Sequence, residues 1–221
     1  MLARVWFGLT ALVVLVGLAV QVAVTAGATS GHFPTVSGRL LNLLCYFTIE
    51  SNIIVGVTSL LLAINPNRTS TLFRVLRLDA IVAITVTFVV FRIALAGLHD
   101  LSGSAAFADF MLHVAAPVLC VLGWLAFGPR QYGGPRLVLL SAIFPVCYLV
   151  FTLIRGPIVD FYPYPFLDAG EHGYGRILIN SVIIGVLFLG LATAVIAVDT
   201  WLLRRRTGDS TDAPAVAERE Q

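Results

Sequence analysis

Lysine is absent from this chain, and all 14 of its basic residues are arginine. Retinal and pyridoxal chemistry both need a lysine amine for a Schiff base, so those classes are excluded. Charge of either sign is scarce, at 12% of 221 residues against about a quarter in a soluble domain. Cysteine is scarce too. Cys45, Cys120 and Cys147 each stand alone in an apolar run, with neither a disulfide framework nor a metal-ligand spacing. They read as small packing residues, and no cofactor or metal is implied. A net charge of +2 without a basic-aromatic patch gives no reason to expect a nucleic-acid partner.

What the chain has instead is apolar length, with 58% of its residues hydrophobic. Six runs reach the about 20 residues that span hydrocarbon: 5–26, 40–64, 78–98, 107–128, 136–155 and 177–203. The first resembles a secretory signal in its flanks, but its apolar core exceeds the roughly 7–15 residues of such a signal. The fold class is therefore an all-α polytopic bundle of six transmembrane helices over residues 1–206. A polar tail, "TGDSTDAPAVAEREQ" (207–221), is expected to be disordered. No internal repeat is visible.

Arginine sets the expected orientation. Arg4 precedes the first run, Arg68, Arg74 and Arg77 lie between the second and third, Arg130 and Arg136 flank the gap between the fourth and fifth, and Arg204, Arg205 and Arg206 follow the sixth. The alternate loops are poorer in arginine, so both termini are expected to be cytoplasmic in a cell membrane. The loop before the sixth run, "GPIVDFYPYPFLDAGEHGYGR", combines helix-breaking prolines with interfacial aromatics. It suits either a cap that anchors the bundle or a lid over a site.

The second run contains "CYFTIESNII", with Thr48, Glu50, Ser51 and Asn52 where lipid-facing residues would be apolar. Counting helix rise, Thr48 lies roughly 13 Å, Arg92 roughly 8 Å and His113 roughly 9 Å from the outer boundary. Three alternating helices thus bring their polar residues into one half of the membrane. Cys45, Thr48, Asn52, Val55 or Gly56, and Ser59 form a small, polar stripe suited to helix contacts. Glu50 is about 160° from Asn52 around the helix, so it points elsewhere, with Arg92 a candidate partner. Asp109 and His113 share a face at i, i+4, which lets the carboxylate orient the imidazole. Pro117 follows on that face and frees a carbonyl.

Each of these residues also has a plainer reading. A membrane threonine commonly bonds its own backbone, a histidine bridges helices, and an arginine near a helix end reaches to the interface. Glu50 is harder to explain so, because an intramembrane carboxylate is by default a functional candidate. Asp79 and Asp199 lie close enough to the cytoplasmic boundary to be solvated. Asn180 and Ser181 are placed to border the same outer cavity.

The segment "NLLCYFTIESN" followed by "DFMLHVAAPVLCVLGWLAFGP" resembles the androgen-induced-gene family of membrane proteins, whose animal members include the androgen-dependent regulator of tissue-factor-pathway inhibitor. The loop "DFYPYPFLD" and the later "GYG" resemble its bacterial six-helix branch. The resemblance covers most of the chain. It implies a multi-pass threonine hydrolase acting on fatty-acyl esters, with Thr48 as nucleophile and His113 as its base. Asp109, Arg92, Glu50 and Asn52 would support them. The expected partner is a membrane lipid or fatty-acyl ester. Two other classes fit the same residues. A non-catalytic lipid-binding protein needs only the cavity. A small transporter would need polar residues continuing through the membrane, and Thr85 and Thr87 are nearly all that the inner halves offer.

Overall fold

The computed structural model describes residues 1–95, 97, 100–130 and 133–208; the expected tail lies, from 209 onward, outside the described residues. Nine α-helices build six rods among these residues: α1 (Leu2–Gly27), α2 (Val36–Leu43), α3 (Phe47–Ile64), α4 (Thr71–Val90), α5 (Gly103–Phe110), α6 (Ala116–Phe127), α7 (Pro135–Ser141), α8 (Ile143–Val159) and α9 (Ala169–Gly208). Six helical stretches are long and apolar enough to cross a membrane. This is an all-α, multi-pass membrane protein, and no strand occurs among the described residues.

The second expected span is not one helix. It breaks at Leu44–Tyr46, so that the short α2 ends and α3 begins afresh at Phe47. The break is held by two tight-turn bonds, from Cys45 N to Asn42 O (2.9 Å) and from Tyr46 N to Leu43 O (3.2 Å). The Tyr148 hydroxyl donates to the Cys45 carbonyl at 3.2 Å, satisfying a group that the break leaves without a helical partner. Two other rods carry π-turns in register with this break. Phe91–Leu95 ends the α4 rod, and Met111–Ala115 joins α5 to α6.

Helix α4 lies at the centre. Ala80, Val82, Ala83 and Ile84 are wholly buried, so it is enclosed on all sides, as a helix apolar all round requires. The outer rods turn Leu15, Ile154, Leu178 and Val186 outward, with exposures of 61–66% that suit a hydrocarbon solvent. Because lipid is as apolar as leucine, close packing and polar ties hold the rods together. A Cβ on Gly17 would lie 2.9 Å from Leu112, and this close approach seats the second π-turn against α1.

At the end of the bundle where α1 begins, Arg4 Nε donates to Ala63 O (2.8 Å), tying the start of α1 to the end of α3. Two expectations are overturned here. Asp79 and Asp199 are 3% and 2% exposed rather than solvated, because α4 begins at Thr71 and α9 runs past Asp199. Asp199 accepts from Trp124 Nε1 (2.9 Å) and Arg130 Nη1 (3.2 Å). Arg74 and Arg77 belong to α4 rather than a loop, and Arg77 is 1% exposed, with its guanidinium over the Phe7 ring.

Candidate functional site

Because α3 restarts at Phe47, Thr48 stands at its second residue, where no helical turn precedes it. That removes the usual partner of a membrane threonine. Thr10, Thr58, Thr85, Thr193 and Thr200 each donate to the carbonyl four residues back. The Thr48 hydroxyl has no such carbonyl and turns instead to two side chains. Its Oγ1 lies 3.3 Å from His113 Nε2 and 3.2 Å from the Tyr164 hydroxyl. The Thr48 backbone N–H donates to the same Tyr164 oxygen at 3.1 Å.

His113 lies in the π-turn that precedes Pro117. The Ala116 N–H goes to Met111 O, and proline supplies no N–H, so the Leu112 carbonyl is left over. Asn52 Nδ2 takes it at 3.1 Å while also donating to Thr48 O at 2.8 Å. Asn52 is thus fully buried and clasps α3 to the π-turn rather than lining the pocket. His113 Nδ1 lies 2.9 Å from Asp109 Oδ1, and the Phe91 ring stacks on the imidazole with centroids 4.0 Å apart. The result is one line of contacts, Asp109 to His113 to Thr48 to Tyr164.

Three sequence expectations fall outside that line. The π-turn at Phe91–Leu95 brings Phe91 inward and leaves Arg92 exposed, so Arg92 lines neither cavity at the site. The suggested Glu50–Arg92 pair is not formed. Glu50 is half-buried on another face of α3, with no ion pair or side-chain hydrogen bond among the described residues. Ser181 borders an apolar chamber instead of the outer cavity, and Asn180 Nδ2 ties the last loop by donating to Phe166 O (2.9 Å).

No protein-family model, curated protein or solved structure matches this chain.

Tyr164 was not singled out from the sequence. Its only signal is its place between Pro163 and Pro165, which stiffens the backbone on both sides. The loop is further pinned by His32, whose Nε2 lies 2.8 Å from Val159 O and whose ring packs on Phe161. Neither alternative, cap or lid, covers what the loop does, since it inserts a side chain into the site. Burial pushes the Tyr164 phenol up to about 12, against the opposing pull of its Thr48 contacts. It therefore stays a neutral O–H donor across the physiological range.

Two cavities meet at this line and share Thr48, Phe91, Leu95 and Tyr164. One is a vestibule of about 1150 Å³ with a mixed lining, in which His32, Arg39, Asn42, Asp100, Asp109 and His113 stand among apolar side chains. The other is an apolar chamber of about 190 Å³ between α4, α8 and α9. The Thr48 hydroxyl therefore stands where a water-accessible space and a lipid-like space touch.

Proposed function

We propose that this protein is a membrane-embedded lipid esterase with Thr48 as nucleophile and His113 as its general base. The observation that carries this reading is the Thr48 hydroxyl, denied its own backbone and aimed at an imidazole that a carboxylate already orients. Asp109 accepts from Nδ1–H, which leaves the Nε2 lone pair facing Thr48 Oγ1.

In the first half of the reaction, Oγ1 attacks the ester carbonyl carbon while its proton passes to Nε2. The tetrahedral oxyanion accepts a hydrogen bond from the Tyr164 phenol, and the N-terminal end of α3 adds a favourable dipole. Collapse expels the alcohol, which takes the proton from Nε2 and leaves an acyl ester on Thr48. In the second half, water from the vestibule gives a proton to Nε2 and attacks the acyl carbon. Thr48 leaves with that proton, and a free carboxylic acid is released.

On this reading Arg92 and Glu50 take no part in the chemical steps. The Thr48–His113 pair is the one implied by the resemblance to the androgen-induced-gene family, and we place the chain with the bacterial members of that family. Most of the arginines lie in the segments at the end where α1 begins, which favours cytoplasmic termini and a site reached from the outer leaflet of the cell membrane.

Two measurements test the chemistry. A fluorophosphonate incubated with the purified protein should leave a covalent adduct on the tryptic or chymotryptic fragment containing Thr48. Folded protein without an adduct, or with one elsewhere, refutes the assignment. Tyr164→Phe should lower kcat by about 10²-fold on an acyl ester, since it removes one donor to the oxyanion. KM should change much less. An unaltered kcat would remove Tyr164 from the mechanism.

A further inference from the structure

The apolar chamber begins at Thr48 and is walled by Val86, Val90, Leu149, Ile184 and Phe188, side chains that offer nothing to a polar ligand. Its one buried hydroxyl without a hydrogen-bond partner among the described residues is that of Ser181. Cavities of roughly 150 Å³ lined by such residues stay dry and accept small hydrocarbons. At about 190 Å³ the chamber encloses a hydrocarbon somewhat larger than that, roughly six to eight carbons of a chain. It is not sealed. Val146 on α8 and Leu189 on α9 stand on its rim and are 55% and 40% exposed on the outer surface of the bundle, where the spans meet acyl chains. On the far side of Thr48 the vestibule starts at once, and there charged and hydrogen-bonding groups such as Asp109 and His113 stand among apolar ones.

We infer that the chamber between α4, α8 and α9 is the acyl site. The acyl chain of a membrane lipid ester enters sideways between α8 and α9, its carbonyl reaching Thr48, while the alcohol half of the ester stays in the vestibule. This rests on the Thr48 reading above and adds to it a division of the substrate. The carbons nearest the carbonyl are enclosed, and the remainder of a long chain continues outward into the bilayer. The dry chamber also excludes water from the acyl side, so the water that clears the acyl-enzyme arrives from the vestibule beside His113.

The test uses two alkyl fluorophosphonates, one with an ethyl and one with a hexadecyl tail, on the full-length protein in detergent. Wild type should be labelled at Thr48 by both. Gly185→Leu and Ser181→Leu each add bulk to the chamber wall, and a Cβ at Gly185 meets nothing within 4 Å, so the new side chain has room. Both variants should keep wild-type labelling by the ethyl probe and react at least about tenfold more slowly with the hexadecyl probe, the scale on which a misfitted methylene is rejected. Unchanged hexadecyl labelling in both variants overturns the acyl site while leaving Thr48 as nucleophile. Wild type that reacts with neither probe overturns the Thr48 reading and the acyl site with it. A hexadecyl probe carrying its diazirine near the phosphorus end, within the carbons the chamber encloses, gives an answer without any variant. Its crosslink should fall on α8 or α9 near Leu149 or Ile184, and a crosslink on vestibule residues such as Tyr46 or Leu101 would overturn the inference.

Discussion

Thr48→Ala is expected to abolish turnover, with kcat on a fatty-acyl ester falling by at least about 10⁴-fold. That loss corresponds to about 5 kcal/mol of transition-state stabilisation. It is much larger than the fold's own loss. The side chain makes two contacts, each near the upper limit of hydrogen-bond length, so truncation should cost stability only about 1–2 kcal/mol. Thr48→Ser retains a hydroxyl at the same backbone position and should remain within roughly tenfold of wild type. The check is kcat for the three proteins, measured beside their thermal unfolding. If alanine at this position retained turnover, the hydroxyl would not be the nucleophile. A wild type that itself showed no turnover would instead favour a lipid-binding protein without hydrolysis, which needs only the two cavities.

Asp109→Asn should lower kcat on the order of 10³-fold while leaving the fold intact. An asparagine turned with its amide donating to Nδ1 forces the imidazole proton onto Nε2, which then has no lone pair for the Thr48 proton. The equivalent change in a serine-protease triad costs about 10⁴-fold. A smaller figure is expected here because the Asp109 side chain is 26% exposed and its field is partly screened by the vestibule. The His113 contact is otherwise unchanged, so labelling by a fluorophosphonate should slow in parallel with kcat. Equal rates in the two proteins would reduce Asp109 to a structural tie within its own helix.

The parts of this site that were legible in the sequence are those in which type and spacing act together. Asp109 and His113 are a helical i, i+4 pair, and the structure has them in contact at 2.9 Å. The stripe from Cys45 through Thr48, Asn52 and Val55 to Ser59 is buried throughout, as small and polar residues in a membrane helix require. The break before Phe47 was hidden because apolar residues continue through it, and a hydropathy window registers no change. The π-turns were hidden for a related reason. A single extra residue in a turn leaves composition untouched, yet it exchanges which neighbour faces inward, and so Phe91 rather than Arg92 meets His113. Tyr164 lies in a loop, where periodicity says nothing about direction. The buried acids at the end where α1 begins escaped because span boundaries drawn from hydropathy stop short of helices that continue through arginine.

The contact between Thr48 and Tyr164 joins residues 116 positions apart in the chain. A ribosome delivers the hydroxyl with the second crossing and the phenol only after the fifth, since synthesis proceeds from the N-terminus. Five helical crossings are therefore already synthesised, with the imidazole among them, before the last partner of the hydroxyl exists. The site is the product of the final hairpin's arrival, and a truncated or stalled chain carries an incomplete version of it.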